Sequence, residues 1–223
     1  MPRRAYYDVY LSNELEAIGI KNSLLSFPWA YKIFQSLVCK FGLSRLYLYS
    51  HYLPYAPGMK VLDLGCGPGN ATSFFDPSDY LGIDIDPAYI AFAKAKFPEY
   101  RFTVANFEEW SVSCETPASY DLIFAMGLFH HLDELTAQTF FVNAFRLLKP
   151  NGWMVCFDGC HYKGQSLIAK SITASDRGNF IREISDMQKL SESAGFSPRL
   201  IVENNVYLIP YSLLIMSLKK SAF

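Results

Sequence analysis

The segment VLDLGCGPGN at 61–70 constrains this chain more than any other stretch. Val61, Leu62 and Leu64 read as a short strand buried on both faces, and Gly65-Cys66-Gly67-Pro68-Gly69 then turns the chain before a helix can start near Asn70. Glycines let a backbone turn tightly and approach a ligand with no Cβ in the way. Alone, such a loop is either a structural turn or a seat for a nucleotide-like ligand. Its place directly after a buried strand, with Asp63 just ahead of Gly65, favours the seat.

From this point the pattern alternates. Short β-rich runs at 60–64, 80–83, 101–105, 120–125 and 153–157 are separated mostly by helical stretches, which implies βαβ units and a mainly parallel sheet. Asp86 followed by Pro87 introduces a helix over 88–97, stopped by Pro98. Asp133 caps another, whose apolar face is Ala137, Phe140, Phe141, Ala144, Phe145 and Leu148. A last helix is expected over 184–194, and 199–206 with 213–218 can pair as two final strands. Residues 1–58 read differently. Trp29, Ile33, Phe34, Leu37, Val38 and Phe41 repeat with helical spacing after Pro28, and a second short helix fits 43–52. The expected organisation is one domain: a helical lead-in at 1–58, a core at 59–158 and a C-terminal segment at 159–223.

The next strand ends on Asp84, about 20 residues after the turn, the distance at which an acid reaches the ribose hydroxyls of a bound nucleoside. A nicotinamide dinucleotide site uses the same turn and the same acid. That loop runs G-x-G-x-x-G, whereas here the third glycine comes one residue early and Pro68 sits where a pyrophosphate would approach.

Composition narrows the classes. A formal net charge of -1 provides no electrostatic footprint for nucleic acid, which wants a basic face. Five cysteines, odd in number and without metal or disulfide spacing, read as reduced thiols in a cytoplasmic protein. The N-terminus lacks the apolar run of a signal peptide, and the stretch 206–218 falls short of the roughly 20 residues that span a bilayer, although peripheral contact stays open.

VLDLGCGPGN resembles the first motif of class I S-adenosylmethionine-dependent methyltransferases, and LGIDIDPAYIAFAK resembles their second. ANFEEW at 105–110, YDLIFAMGLFHHLD at 120–133 and RLLKPNGWMV at 146–155 continue the resemblance in the family order. The lead-in SFPWAYKIFQ and the tail are similar to a bacterial-type subgroup, type 11/12-like, which implies no substrate. The resemblance implies an α/β fold: a Rossmann-like, seven-stranded, mostly parallel sheet with its last strand inserted antiparallel, helices on both faces and an N-terminal helical lid. It also implies S-adenosylmethionine as cofactor. Asp63 then lies near the methionine amino group, and Gly65, Cys66 and Gly67 line the methionine and ribose portions. Asp84 holds the ribose with Ile85 against adenine, and Met126 marks a backbone carbonyl near the amino group. Asn106, where many relatives carry Asp, accepts from the adenine amino group or donates to a ring nitrogen, with Phe107 beside the ring.

Two histidines, His130 and His131, are candidates for removing a proton from the acceptor. They serve equally as a pocket edge ahead of the helix at Asp133, because methyl transfer depends chiefly on alignment. No third ligand has suitable spacing, so no metal is expected. His161, Tyr162, Arg177 and Arg182 follow the fifth strand, where ligands of open α/β sheets gather, and are the candidate contacts to a small-molecule substrate. The expected activity is methyl transfer to an O or N nucleophile. A methyltransferase-like binding or regulatory protein that has lost the chemistry stands beside it.

Overall fold

The computed structural model describes residues 43–113, 116–174 and 178–221. The lead-in helix expected over 28–41, the lid, and Arg177 lie outside them. The elements are α1 (Leu43–Tyr52), β1 (Val61–Leu64), β2 (Tyr80–Asp84), α2 (Pro87–Lys96), β3 (Arg101–Val104), α3 (Phe107–Ser113), β4 (Tyr120–Met126), α4 (Glu134–Leu147), β5 (Leu148–His161), α5 (Leu167–Ala174), β6 (Arg182–Glu183), α6 (Ile184–Ser193), β7 (Ser197–Glu203) and β8 (Leu213–Lys219).

Among the described residues one sheet runs β3-β2-β1-β4-β5-β8-β7, with β6 paired to β5 off that path. β1 to β5 are mutually parallel, and β8 is antiparallel to both β5 and β7. The seven expected strands and the inserted antiparallel strand are thus present. β6 is an eighth, a two-residue pairing of Cys160 with Arg182 and His161 with Glu183. β5 also runs well past the expected 153–157. Asp158 and Gly159 stay in register with Leu214 and Leu213 of β8, so pairing on that side carries the strand beyond its apolar run.

Side chains of a strand alternate between faces, so a central parallel sheet needs a core on each side. Leu62, Leu64, Ile123, Ala125, Met154, Cys156, Leu214 and Met216 face one core with Phe140, Phe141, Met187 and Leu190. Val61, Leu122, Phe124, Val155, Phe157 and Ile215 face the other with Leu48, Tyr49, Ile90 and Ala93. Asp63, the one acidic residue of the fully buried β1, shares the face of Val61, on the side where Tyr80 packs.

The marked helix starts form as expected. Asp86 accepts from the Ala88 N–H at 2.7 Å with Pro87 in the first turn, and Asp133 accepts from the Thr136 N–H at 2.8 Å. The Thr136 bond holds the Asp133 carboxyl below its usual range. Replacing Asp133 by Ala removes that bond, and chemical denaturation should show a lower midpoint than the wild type.

Candidate active site

The glycine loop leaves the buried end of β1 and is fastened to β2. Gly65 and Cys66 both donate their N–H to the Ile83 carbonyl, at 2.8 and 3.0 Å, and Gly67 donates to Asp84 Oδ2 at 2.8 Å. Gly65 and Gly67 take φ of 70° and 53°, a region that strains residues with a Cβ. A Cβ on Gly65 would stand 3.0 Å from Leu128, whereas one on Gly67 would meet nothing within 4 Å. The outer side of the loop is therefore open backbone.

Asp84 shares its carboxylate between two backbone donors, Gly67 on Oδ2 and Asp86 on Oδ1 (2.9 Å). A carboxylate offers about four lone-pair directions, so each oxygen keeps one for a hydroxyl. Ile85 beside it is 68% exposed, a large apolar surface next to a polar clamp. On the next strand's loop, Asn106 Oδ1 accepts from Glu108 N–H (2.9 Å) and Glu109 N–H (3.4 Å), capping α3. That occupies the oxygen expected to meet an adenine amino group and leaves the NH2 as the group to turn toward a ring. Phe107 is buried against Phe140, with ring centroids 4.7 Å apart, and so supports the loop from below. Met126 ends β4 half-buried, its Sδ accepting from the Tyr49 hydroxyl at 3.3 Å.

Beneath the loop Asp63 is buried and accepts from the Tyr80 hydroxyl at 2.6 Å. Burial pushes its carboxyl from 3.8 up to about 7; the Tyr80 bond opposes this and the Asp84 carboxylate adds to it. Burial likewise pushes up the Cys66 thiol, so Cys66 contributes as packing and backbone rather than as a thiolate. Nothing in the sequence marks Tyr80 beyond its being an aromatic at the start of a strand.

At the ends of β4 and β5 a second group forms. Asp158 is buried; its Oδ2 accepts from the backbone N–H of Phe129 (2.6 Å) and of His130 (3.3 Å). Its Oδ1 accepts from Gly159 N–H (2.9 Å) and lies 2.5 Å from His130 Nδ1. His130 is buried and His131 is exposed, their ring centroids 4.0 Å apart.

The C-terminal candidates have defined partners. Arg182 donates to the carbonyls of Phe129 (2.8 Å), Leu132 (2.5 Å) and Phe180 (3.2 Å), so its guanidinium fastens the 129–132 turn to the 180–182 segment that leads into β6. His161 Nδ1 pairs with Gln165 Oε1 at 3.2 Å, and the Tyr162 hydroxyl pairs with the Asn204 amide. No group of His, Cys, Asp and Glu among the described residues has the arrangement of a metal site.

A glycine loop after β1, an acid at the end of β2, and an antiparallel strand wedged beside β5 define the core of a class I methyltransferase. Comparison with known proteins agrees. Residues 62–154 match the family model described as a methyltransferase domain. A trans-aconitate 2-methyltransferase of Delftia acidovorans is 35% identical over 104 residues, 45% of this chain and 38% of that protein. The reducing polyketide synthase Preu2 of Preussia isomera is 32% identical over 109 residues, 45% of this chain but 5% of the synthase. The chain thus spans well under two thirds of these relatives. A solved TehB-like methyltransferase from Corynebacterium glutamicum superposes with a TM-score of 0.57 at 23% identity, covering 99% of this chain and 100% of that one. Residues 62–154 thus match a methyltransferase domain, within a fold shared with solved S-adenosylmethionine-dependent methyltransferases.

The raised Asp63 carboxyl has a consequence for stability. Its folded value lies above the unfolded one, so the native state holds the extra proton between about pH 4 and about pH 7. The ligand-free protein should lose stability as pH rises through that window. Asp63→Asn should flatten the slope in denaturation measured at pH 5 and pH 8.

Proposed function

We propose that the chain is an S-adenosylmethionine-dependent methyltransferase that acts on a small-molecule O or N nucleophile. The reading is carried by one observation: the Gly67 N–H on Asp84 Oδ2 holds an open glycine turn against an acid that still has lone pairs for a ribose diol. When bound, S-adenosylmethionine supplies an electrophilic methyl on a sulfonium. The chain's residues bind and orient it. Asp84 accepts from the ribose hydroxyls, Ile85 lies against adenine, and the NH2 of Asn106 donates to a ring nitrogen. Asp63 faces the methionine amino group and ionises there, because an ammonium beside it offsets the cost of burying its charge. Gly65, Cys66, Gly67 and Met126 border the methionine and ribose portions.

Three observations support the setting. Cys66, Cys156 and Cys160 are free and buried, as in a reducing cytoplasm. No helix among the described residues is long and apolar enough to cross a membrane. The C-terminal ends of β4 and β5, where His130, Asp158 and His161 gather, form the side on which a small substrate would enter. His161 and Tyr162 belong to the segment 159–223 that we assign to the acceptor. Arg177 is assigned there too, whereas Arg182 serves that segment by holding its backbone.

Calorimetry tests the site. S-adenosylmethionine should bind, and Asp84→Ala should weaken it by roughly 10- to 100-fold, the worth of hydrogen bonds to a charged acceptor. Unchanged affinity in that variant would refute the assignment. Incubation with methyl-labelled cofactor and a small-molecule extract should move label into the extract. A protein that binds cofactor and moves no label would instead be a binding or regulatory relative.

A further inference from the structure

The buried carboxyl of β1 is held by one oxygen only. Asp63 Oδ2 accepts from the Tyr80 hydroxyl at 2.6 Å, and that hydroxyl in turn accepts from Thr72 Oγ1 at 3.3 Å. Oδ1 receives no hydrogen bond from the described residues, although Asp63 is 3% exposed. None of the ion pairs among the described residues involves Asp63. A buried carboxyl with one oxygen unmet and no cation beside it is costly until a ligand completes it.

The chain is arranged to bring the phenol in. Tyr80 and Gly82 project from the same face of β2, and Gly82 stands opposite Asp63 in the parallel register. The tyrosine side chain therefore runs along β2 past Gly82 to reach Asp63. A Cβ on Gly82 would stand 2.9 Å from the Tyr80 hydroxyl and 2.9 Å from Cys66 Sγ, so a side chain there would close the passage. Thr72 is fully buried in the short turn Thr72–Phe74 just after the glycine loop, and its N–H donates to the Gly69 carbonyl at 3.3 Å. A relay thus runs from the end of the loop through Tyr80 to Asp63. Packing accounts for the Tyr80 ring, which stacks on Phe75 with centroids 5.5 Å apart, and a phenylalanine would serve it equally. The hydroxyl is the part that packing leaves unexplained.

We propose that Tyr80 is a positioning residue for the cofactor, pinning Asp63 by one oxygen so that the other is left for the α-ammonium of S-adenosylmethionine. This rests on the methyltransferase reading above. Burial holds the ligand-free Asp63 carboxyl up at about 7, and the phenol keeps it from rising further. An ammonium at Oδ1 takes the place of the proton, which passes to solvent. Few groups bear on this exchange. Tyr80 and Asp84 act from β2, burial keeps the Cys66 thiol of the loop neutral, and the Tyr49 phenol of α1 is turned to Met126.

Calorimetry with two ligands tests this. S-adenosylhomocysteine carries the ammonium, whereas 5′-methylthioadenosine keeps adenine, ribose and sulfur and lacks it. In the wild type at pH 6, titrations in two buffers of different ionisation enthalpy should show about one proton released by S-adenosylhomocysteine and none by 5′-methylthioadenosine. Binding of S-adenosylhomocysteine without proton release overturns the proposal before any variant is made. In Tyr80→Phe, S-adenosylhomocysteine affinity should fall roughly 10-fold at pH 6, the worth of a hydrogen bond to a charged acceptor, and return close to the wild-type value at pH 8.5. Affinity for 5′-methylthioadenosine should not change. An unchanged S-adenosylhomocysteine affinity at pH 6, or an equal loss for both ligands at both pH values, overturns the positioning role. If neither ligand binds the wild type, the methyltransferase reading falls and takes this proposal with it, an outcome distinct from binding without proton release.

Discussion

Three hydrogen bonds hold the glycine turn to the end of β2, and the remaining site geometry is referred to them. Two run from Gly65 and Cys66 to one carbonyl, that of Ile83, and the third from Gly67 to the carboxylate of Asp84. They convert a flexible glycine stretch into a rigid rim on the sheet. Asp84 is oriented by the same contact that fixes the turn, so its carboxylate and the open backbone cannot drift apart. Leu128 against Gly65 then ties the β4 turn, and with it His130, to that rim.

The two carboxylates nearest the rim are put to opposite use by their surroundings. Asp84 stays partly exposed and accepts from two backbone N–H groups. Asp63 sits on a strand with no exposed residue, accepts from the Tyr80 phenol, and resists ionisation. In the function we propose, a cation over Asp63 relieves that resistance, whereas Asp84 meets only hydroxyls.

Much of this was legible in the chain itself. β1, the glycine turn and Asp84 are contiguous or set by strand-to-strand spacing, and spacing survives folding. The caps Asp86 and Asp133 act on residues two or three positions ahead, so local chemistry reveals them. Asp158 and Arg182 were opaque in role for the converse reason. Asp158 meets residues 28 and 29 positions back, and Arg182 meets carbonyls 50 and 53 positions back. An arginine that saturates carbonyls looks, in sequence, like an arginine awaiting an anion. Asn106 failed differently: its oxygen is a good acceptor, but the first turn of α3 is closer than any ligand.

The placement of β8 between β5 and β7 also bears on how the protein is made. β7 is synthesised before β8, yet it has no partner in the sheet until β8 has docked on β5. While the chain emerges, the parallel half can assemble from β1 to β5 and still present the long edge of β5, with its buried run from Met154 to Cys160, as an unpaired template. The nascent protein thus passes through a stage in which its longest strand is open on one side. Closure waits for β8, the last strand to be made, which leaves the β5 edge at 154–160 as the segment on which a biosynthetic chaperone would have the longest time to act.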